Sequence, residues 1–222
     1  MRHEYKHQIS YQDYLIIRSR LRQLAVPDSH AGPDGRYLIH SLYFDNLSDK
    51  ALREKLDGVD RREKFRIRYY NDDTSYICLE KKSKIHGLCD KQSALLTKEE
   101  TVRICHGDIS FLLKSDEPLL QELYAKMKYQ LLRPRVIVDY EREPYVYGPG
   151  NVRITFDSNI RTGLYHNKLF EGQYQGMPTQ QDCIILEVKY DAFLPEIMEK
   201  VVRVPNRQAC AFSKYAACRM YG

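Results

Sequence analysis

Lys64-Phe65-Arg66-Ile67-Arg68-Tyr69-Tyr70 alternates charge with apolar bulk at a period of two, and its reading decides the fold. In a β-strand residues i and i+2 point to the same side. Arg66 and Arg68 therefore share one face, and Phe65 and Ile67 the other. The pattern recurs in Ile77-Cys78-Leu79-Glu80-Lys81-Lys82-Ser83-Lys84, in Val152-Arg153-Ile154-Thr155-Phe156-Asp157 and in Ile184-Ile185-Leu186-Glu187-Val188-Lys189-Tyr190. Each segment offers one apolar face and one mainly cationic face. Any one of them alone reads as an ordinary half-buried strand with a solvated side.

Together they resist that reading. A solvated sheet mixes signs to limit cross-strand repulsion. Here Lys6, Arg66, Arg68, Lys82, Lys84, Arg142, Arg153 and Lys189 stand against Glu4, Glu80, Asp157 and Glu187. Arginine suits forked contact with phosphate oxygens. Cationic faces turned to a common interior, with helices over the apolar outer faces, imply a water-filled site for a polyanion. Glu4, Glu80 and Glu187 lie on the same faces. They serve either as hard oxygen ligands for Mg²⁺ or Mn²⁺ or as neutralisers of neighbouring cations. Nucleic acid is disfavoured as the ligand, because the chain shows no basic helix, zinc finger or aromatic RNA-binding motif.

Working outward, residues 2–9 read as a strand and Ser10 as the cap of a helix, with Asp13 at its third position and Tyr14, Ile17, Leu21 and Leu24 at helical spacing. A turn-rich loop covers 28–35, strands 36–44, 61–71, 75–84 and 87–96 follow, and a short helix covers 48–56. Residues 97–132 read as helical, opened by Thr97-Lys98-Glu99-Glu100 and with Pro118 early in a second helix. Strands at 133–147, 151–160 and 183–191, a loop at 162–181 and two short helices at 194–203 and 211–221 complete the chain. The expectation is an α+β fold in which about eight antiparallel strands close a barrel.

At 222 residues, with 43% hydrophobic residues and no Pro/Gly/Ser linker, the chain reads as a single domain over 1–222. The net charge of +5 is modest, so the placement of charge matters more than its sum. The six cysteines include no Cys-x-x-Cys pair and read as reduced core thiols, which fits a cytoplasmic protein. The opening Met-Arg-His-Glu-Tyr-Lys is not a signal peptide, and no apolar run has the length of a membrane span. A membrane protein as partner stays open.

At these residues the chain resembles the VTC domain, the polyphosphate-polymerase module of the vacuolar transporter chaperone family and its bacterial relatives, within the triphosphate tunnel metalloenzymes. The resemblance runs through Arg2-His3-Glu4-Tyr5-Lys6, Ser41-Leu42-Tyr43-Phe44-Asp45, Lys64 to Tyr69, Leu79-Glu80-Lys81-Lys82, Tyr140-Glu141-Arg142-Glu143-Pro144-Tyr145, Val152 to Asp157, Leu186-Glu187-Val188-Lys189 and Phe212-Ser213-Lys214-Tyr215. It implies an eight-stranded antiparallel β-barrel tunnel with helices packed outside, working on ATP and inorganic polyphosphate with Mn²⁺ or Mg²⁺. It further implies catalytic roles for Arg66, Arg68, Lys82, Arg142 and Arg153, and phosphate contacts for Lys6, Lys189, Lys214, Tyr140 and Ser213. Glu187 is the first candidate metal ligand and Glu4 the second. Lys82 is chosen over Lys81 by alternation with Glu80.

One departure matters. Broader tunnel enzymes open with Glu-x-Glu-x-Lys, and Arg2 stands where the first Glu would be. This favours the polymerase branch over the acid-rich hydrolases; a triphosphate hydrolase on the same tunnel and a non-catalytic polyphosphate or nucleotide sensor are the alternatives.

Overall fold

The computed structural model describes residues 2–86, 88–163, 169–170, 176–179, 183–203 and 209–221. Most of the loop expected at 162–181 lies outside them. The chain falls into two compact units. Residues 1–38, 140–160 and 180–213 form the first, and residues 39–139, 161–179 and 214–222 the second.

The first unit is built on strands β1 (His3–Ile9), β7 (Arg133–Tyr147, from Tyr140 onward), β8 (Val152–Gly163, up to Ile160) and β10 (Ile184–Tyr190). Their order is β1-β10-β8-β7, and the two-residue β2 (Val26–Pro27) pairs with β7. Helices α1 (Tyr11–Leu21) and α5 (Glu196–Val202) belong to this unit. Ser10 caps α1 as expected: its Oγ accepts from the Asp13 amide at 3.1 Å, and Asp13 returns the contact by accepting from the Ser10 amide. The apolar faces of the strands (Ile154, Phe156, Leu186, Val188) pack with Tyr14, Ile17 and Leu21 of α1 and with Met198, Val201 and Val202 of α5.

The second unit orders β3 (Tyr37–Asp45, from Ile39 onward), β4 (Arg62–Tyr70), β5 (Asp73–Ile85) and β6 (Leu88–Leu96) as β3-β4-β5-β6. Asn71 and Asp72, both at positive φ, make the tight β4–β5 turn, as the Asn-Asp-Asp signal predicts. Helix α2 (Lys50–Leu56) follows β3, and its amides at Ala51 and Leu52 are capped by Asp45. Helix α3 (Lys98–Cys105) opens on a Thr97–Glu100 capping box, and α4 (Pro118–Tyr129) starts on its proline. Residues 97–132 are not helical throughout, since a 3₁₀ turn at Ser110–Lys114 separates these two helices. Phe65, Ile67, Ile77 and Leu79 of the sheet pack with Ile104, Leu119, Leu123 and Met127 of the helices. The chain ends in α6 (Lys214–Tyr221), and β9 (Met177–Pro178) is a two-residue pairing with β8.

Eight longer strands therefore carry the fold among the described residues, as the alternation predicts, and the described pairings are antiparallel. In each unit, helices cover the apolar face of the strands. Leu123 is fully buried among strand residues in that cover. Leu123→Ala is expected to lower the unfolding free energy by about 2–5 kcal/mol, from lost apolar burial plus the cavity left behind; denaturant titration measures it.

Candidate functional site

The register of the second unit puts Ser41 opposite Arg68, Tyr43 opposite Arg66, Arg66 opposite Glu80, Lys64 opposite Lys82, and Lys82 opposite Lys91. These residues share one side of the sheet, the side away from the α3–α4 core. Lys81 lies on the core side, where its ammonium meets Glu63 at 3.3 Å and Glu122 at 2.5 Å. Alternation thus separates the adjacent lysines in the expected way. Glu80 is only 4% exposed and holds two cations, Arg66 Nε at 2.6 Å and Lys91 Nζ at 2.5 Å. Buried Arg68 donates to Ser41 Oγ at 3.0 Å. Burial raises the Glu80 carboxyl, but Arg66, Arg68 and Lys91 overcome it and hold the group well below the usual carboxylate range.

Tyr43 completes this face. Arg66 Nη1 donates to its oxygen at 2.8 Å, and Tyr215 of α6 stacks on it at 5.2 Å between ring centroids. The Tyr215 hydroxyl donates to Asp45 and Arg219 pairs with Asp49, which fixes α6 against β3 and α2. Lys214, half-buried, opens α6 one residue before the stacked Tyr215. Ser213 precedes it and belongs by contacts to the first unit.

The first unit presents a different face. Glu4 lies opposite Lys189, Lys6 opposite Glu187, Glu187 opposite Thr155, and Lys189 opposite Arg153. Arg142 grips fully buried Asp157 through two hydrogen bonds, Nε to Oδ1 at 2.6 Å and Nη2 to Oδ2 at 2.8 Å. Its guanidinium lies 5.5 Å from the centre of the buried Tyr140 ring. Glu187 receives Lys189 at 2.5 Å, Arg142 at 3.5 Å and Lys6 at 3.9 Å. Glu4 meets the same two lysines, Lys6 at 3.1 Å and Lys189 at 3.7 Å. Burial pulls the Lys6 ammonium down, yet Glu187 and Glu4 hold it above its usual value. Lys189 goes the other way: burial, helped by Arg142, outweighs Glu187 and lowers it.

Arg153 sits at the margin of this face, held by Asp28 at 2.8 Å and by the Tyr37 hydroxyl at 3.0 Å. Arg2, in place of a glutamate, pairs with Asp191 at 2.9 Å and donates to the Asn151 carbonyl.

The structure thus gathers Arg66, Arg68 and Lys82 in the second unit, and Lys6, Arg142, Lys189, Glu4 and Glu187 in the first. Of the two roles the sequence offers for the acids on these faces, the structure displays the pairing with neighbouring cations, as Glu80, Glu187 and Glu4 each meet lysine or arginine. Tyr43, Ser41 and the clamp of Asp28 on Arg153 were missed. Tyr43 was inside a quoted motif, and its alternation with Ser41 on a strand beside Arg66 was the signal available. Asp28 lies in a loop and carried none.

Among the described residues no group of three acids, histidines or cysteines could hold a metal by itself. Glu4 and Glu187 do converge on common lysines and offer hard oxygen donors. Such a pair fits Mg²⁺ or Mn²⁺, ions that take one or two carboxylates and complete their shells with water and substrate phosphates.

A family model described as the VTC domain matches residues 1–221. Among solved structures, a candidate adenylate cyclase from Bacillus halodurans matches with a TM-score of 0.50 and 14% identity, over 89% of this chain and 83% of its own. A candidate adenylyl cyclase from Hippeastrum, HpAC1, described as having a dominant triphosphatase activity, matches with a TM-score of 0.59 and 15% identity, over 99% and 95%. At such identities the likeness shows the fold, which is the antiparallel, strand-rich triphosphate tunnel fold with helices. No curated protein sequence matches the chain. No helix among the described residues is long and apolar enough to cross a membrane.

Glu80 generates a stability prediction. Its folded-state carboxyl lies below the ordinary value of 4.5, so its contribution is complete above that value and is lost as pH falls through the depressed one. Glu80→Gln is expected to cost about 3 kcal/mol at neutral pH, the low end for a broken buried pair because Lys91 is solvated. The gap to the parent should shrink on acidification below 4.5; denaturant titrations at several pH values measure it.

Proposed function

The chain belongs to the VTC domain family, and from that premise we propose that it is an ATP-dependent inorganic polyphosphate polymerase, moving the γ-phosphate of ATP onto a growing chain. One observation carries the reading: Lys64, Arg66, Arg68 and Lys82 stand together on one sheet face with Glu80 as the carboxylate between them. Phosphoryl transfer needs little covalent help from protein. It needs in-line positioning and neutralisation of charge on the moving group. Arginines anchored at Nε, as Arg66 is by Glu80 and Arg68 by Ser41, supply oriented positive charge at low reorganisation cost. Arg142, fixed by Asp157, and Arg153 would do the same in the first unit. Lys6, Lys189, Lys214, Tyr140 and Ser213 complete the proposed phosphate contacts. The nucleophile is a terminal phosphate, which needs no activating side chain.

Glu187, with Glu4 second, would hold Mg²⁺ or Mn²⁺ together with substrate phosphates. That ion would supply neutralisation of the leaving diphosphate. Arg2 supports the polymerase branch, because it replaces a carboxylate donor with a cation tied to Asp191. A triphosphate hydrolase is the second reading, favoured by the triphosphatase activity of the Hippeastrum protein that shares the fold.

The test is an assay of purified protein with ATP and Mg²⁺ or Mn²⁺, resolving polymer by gel beside free phosphate. Phosphatase-sensitive chains are expected, with Arg66→Ala slowing their synthesis by ~10³-fold, as for cations near a transferring phosphoryl group. Free phosphate without polymer would replace this reading with the hydrolase. Neither product, with tight tripolyphosphate binding, would make the protein a sensor. Glu187→Gln is expected to raise the metal concentration needed for half-maximal turnover by at least ~10-fold; an unchanged metal titration places the ion elsewhere.

A further inference from the structure

Tyr43 occupies an unusual position for a core tyrosine. It is 3% exposed, yet it lies on the charged side of its sheet. Its oxygen accepts from Arg66, and its ring has the Lys64 ammonium 5.6 Å and the Arg66 guanidinium 5.7 Å from the centroid. The strands and the helix on this side of the sheet bring charged and titratable groups. Strand β4 gives Lys64, Arg66 and Arg68, β5 gives Glu80 and Lys82, β6 gives Lys91, and α6 gives Lys214, Tyr215 and Arg219. On its own strand Asp45 is engaged by Tyr215 and by the α2 amides, and Glu80 of β5 holds Arg66.

Burial by itself pushes the phenol up. Arg66, Lys64 and Arg68 more than reverse this and bring it down to about 7. Near neutral pH the phenolate thus shares with Glu80 the neutralisation of a face otherwise dominated by cations. A polyanion arriving on that face would compete with the phenolate for the same cations and repel it.

We propose that Tyr43 is a proton-linked positioning residue for Arg66, taking a proton from solvent as a phosphate polyanion settles against Lys64, Arg66 and Arg68. The neutral phenol leaves the guanidinium charge to the ligand while still accepting its Nη1 hydrogen bond, so Arg66 keeps its orientation. This rests on the reading of the face as a phosphate site. Because the ligand prefers the protonated phenol, affinity relative to a phenylalanine variant falls as pH rises above about 7, by up to ~10-fold per pH unit until the phenol of the complex itself titrates.

The experiment uses the full chain and inorganic tripolyphosphate, without metal, across pH about 6 to 9. The phenolate absorbance band and calorimetric affinity are followed for the parent and for Tyr43→Phe, which keeps the ring that stacks on Tyr215. The parent should show a phenolate step near 7 that the variant lacks. Tripolyphosphate should move that step upward, and the parent-to-variant affinity ratio should fall with pH. The variant also corrects for protons that tripolyphosphate itself loses over this range. Binding with an affinity ratio flat in pH, or a phenolate step that ignores the ligand, overturns the proposal and leaves the phosphate site standing. The parent's own step moves or stays without any variant, so a folding defect in Tyr43→Phe does not spoil the test. Absence of tripolyphosphate binding at every pH removes the phosphate reading itself, and the proposal with it.

Discussion

Cations gathered on one side of a sheet repel one another, and each has to be met by an anion or by water. That constraint organises both units. Where a guanidinium is deeply buried, as Arg142 is, the answer is a dedicated carboxylate: Asp157, fully buried, binds it through two parallel hydrogen bonds. A lone buried charge costs several kcal/mol, and a bidentate partner offsets that cost while fixing orientation. Where the cations keep some contact with solvent, as Arg66, Lys64 and Lys82 do, fewer anions suffice. Glu80 then holds Arg66 and Lys91 at once.

Much of this was legible because side chains in a strand alternate strictly. Alternation alone separates Lys82 from Lys81, and the register bears it out: Lys81 turns to Glu63 and Glu122 among the helices. The helix starts at Ser10, Thr97 and Pro118 were legible for a related reason, since capping and proline preference act within a few residues. The 3₁₀ turn at Ser110–Lys114 was not, because an apolar run such as Phe111-Leu112-Leu113 suits either helix type.

Partnerships across the chain were the harder part. Asp157 and Arg142 meet because β7 and β8 are neighbours, and the sequence offered both residues without saying that they were paired. Asp28 reaches Arg153 from a loop with no periodicity to read. Tyr43 was visible as a motif residue, but its character comes from Arg66, Lys64 and Arg68 on the next strand and from Tyr215 on a helix near the end of the chain. A phenol's ionisation is a property of the summed field around it, and no local pattern reports that field.

The two charged faces differ in kind, and the difference bears on chemistry. In the second unit Glu80 is saturated by Arg66 and Lys91 and held far down in pKa. Its bonds are committed to orienting cations, so this face suits binding and charge neutralisation. In the first unit Glu4 and Glu187 share Lys6 and Lys189, with contacts that range from 2.5 to 3.9 Å. A divalent ion held there, as proposed, would compete with the ammonium groups for the same oxygens. Displacing Lys6 and Lys189 from carboxylates would release them towards phosphate, so metal and phosphate would each favour the other's binding. Cooperation of this kind requires no movement of the backbone, only two lysines with a choice of anion. Lys189, whose ammonium burial already holds below its usual value, stands between two carboxylates, Glu187 and Glu4, so a metal ion drawing on either would leave it with the greater need of a phosphate anion.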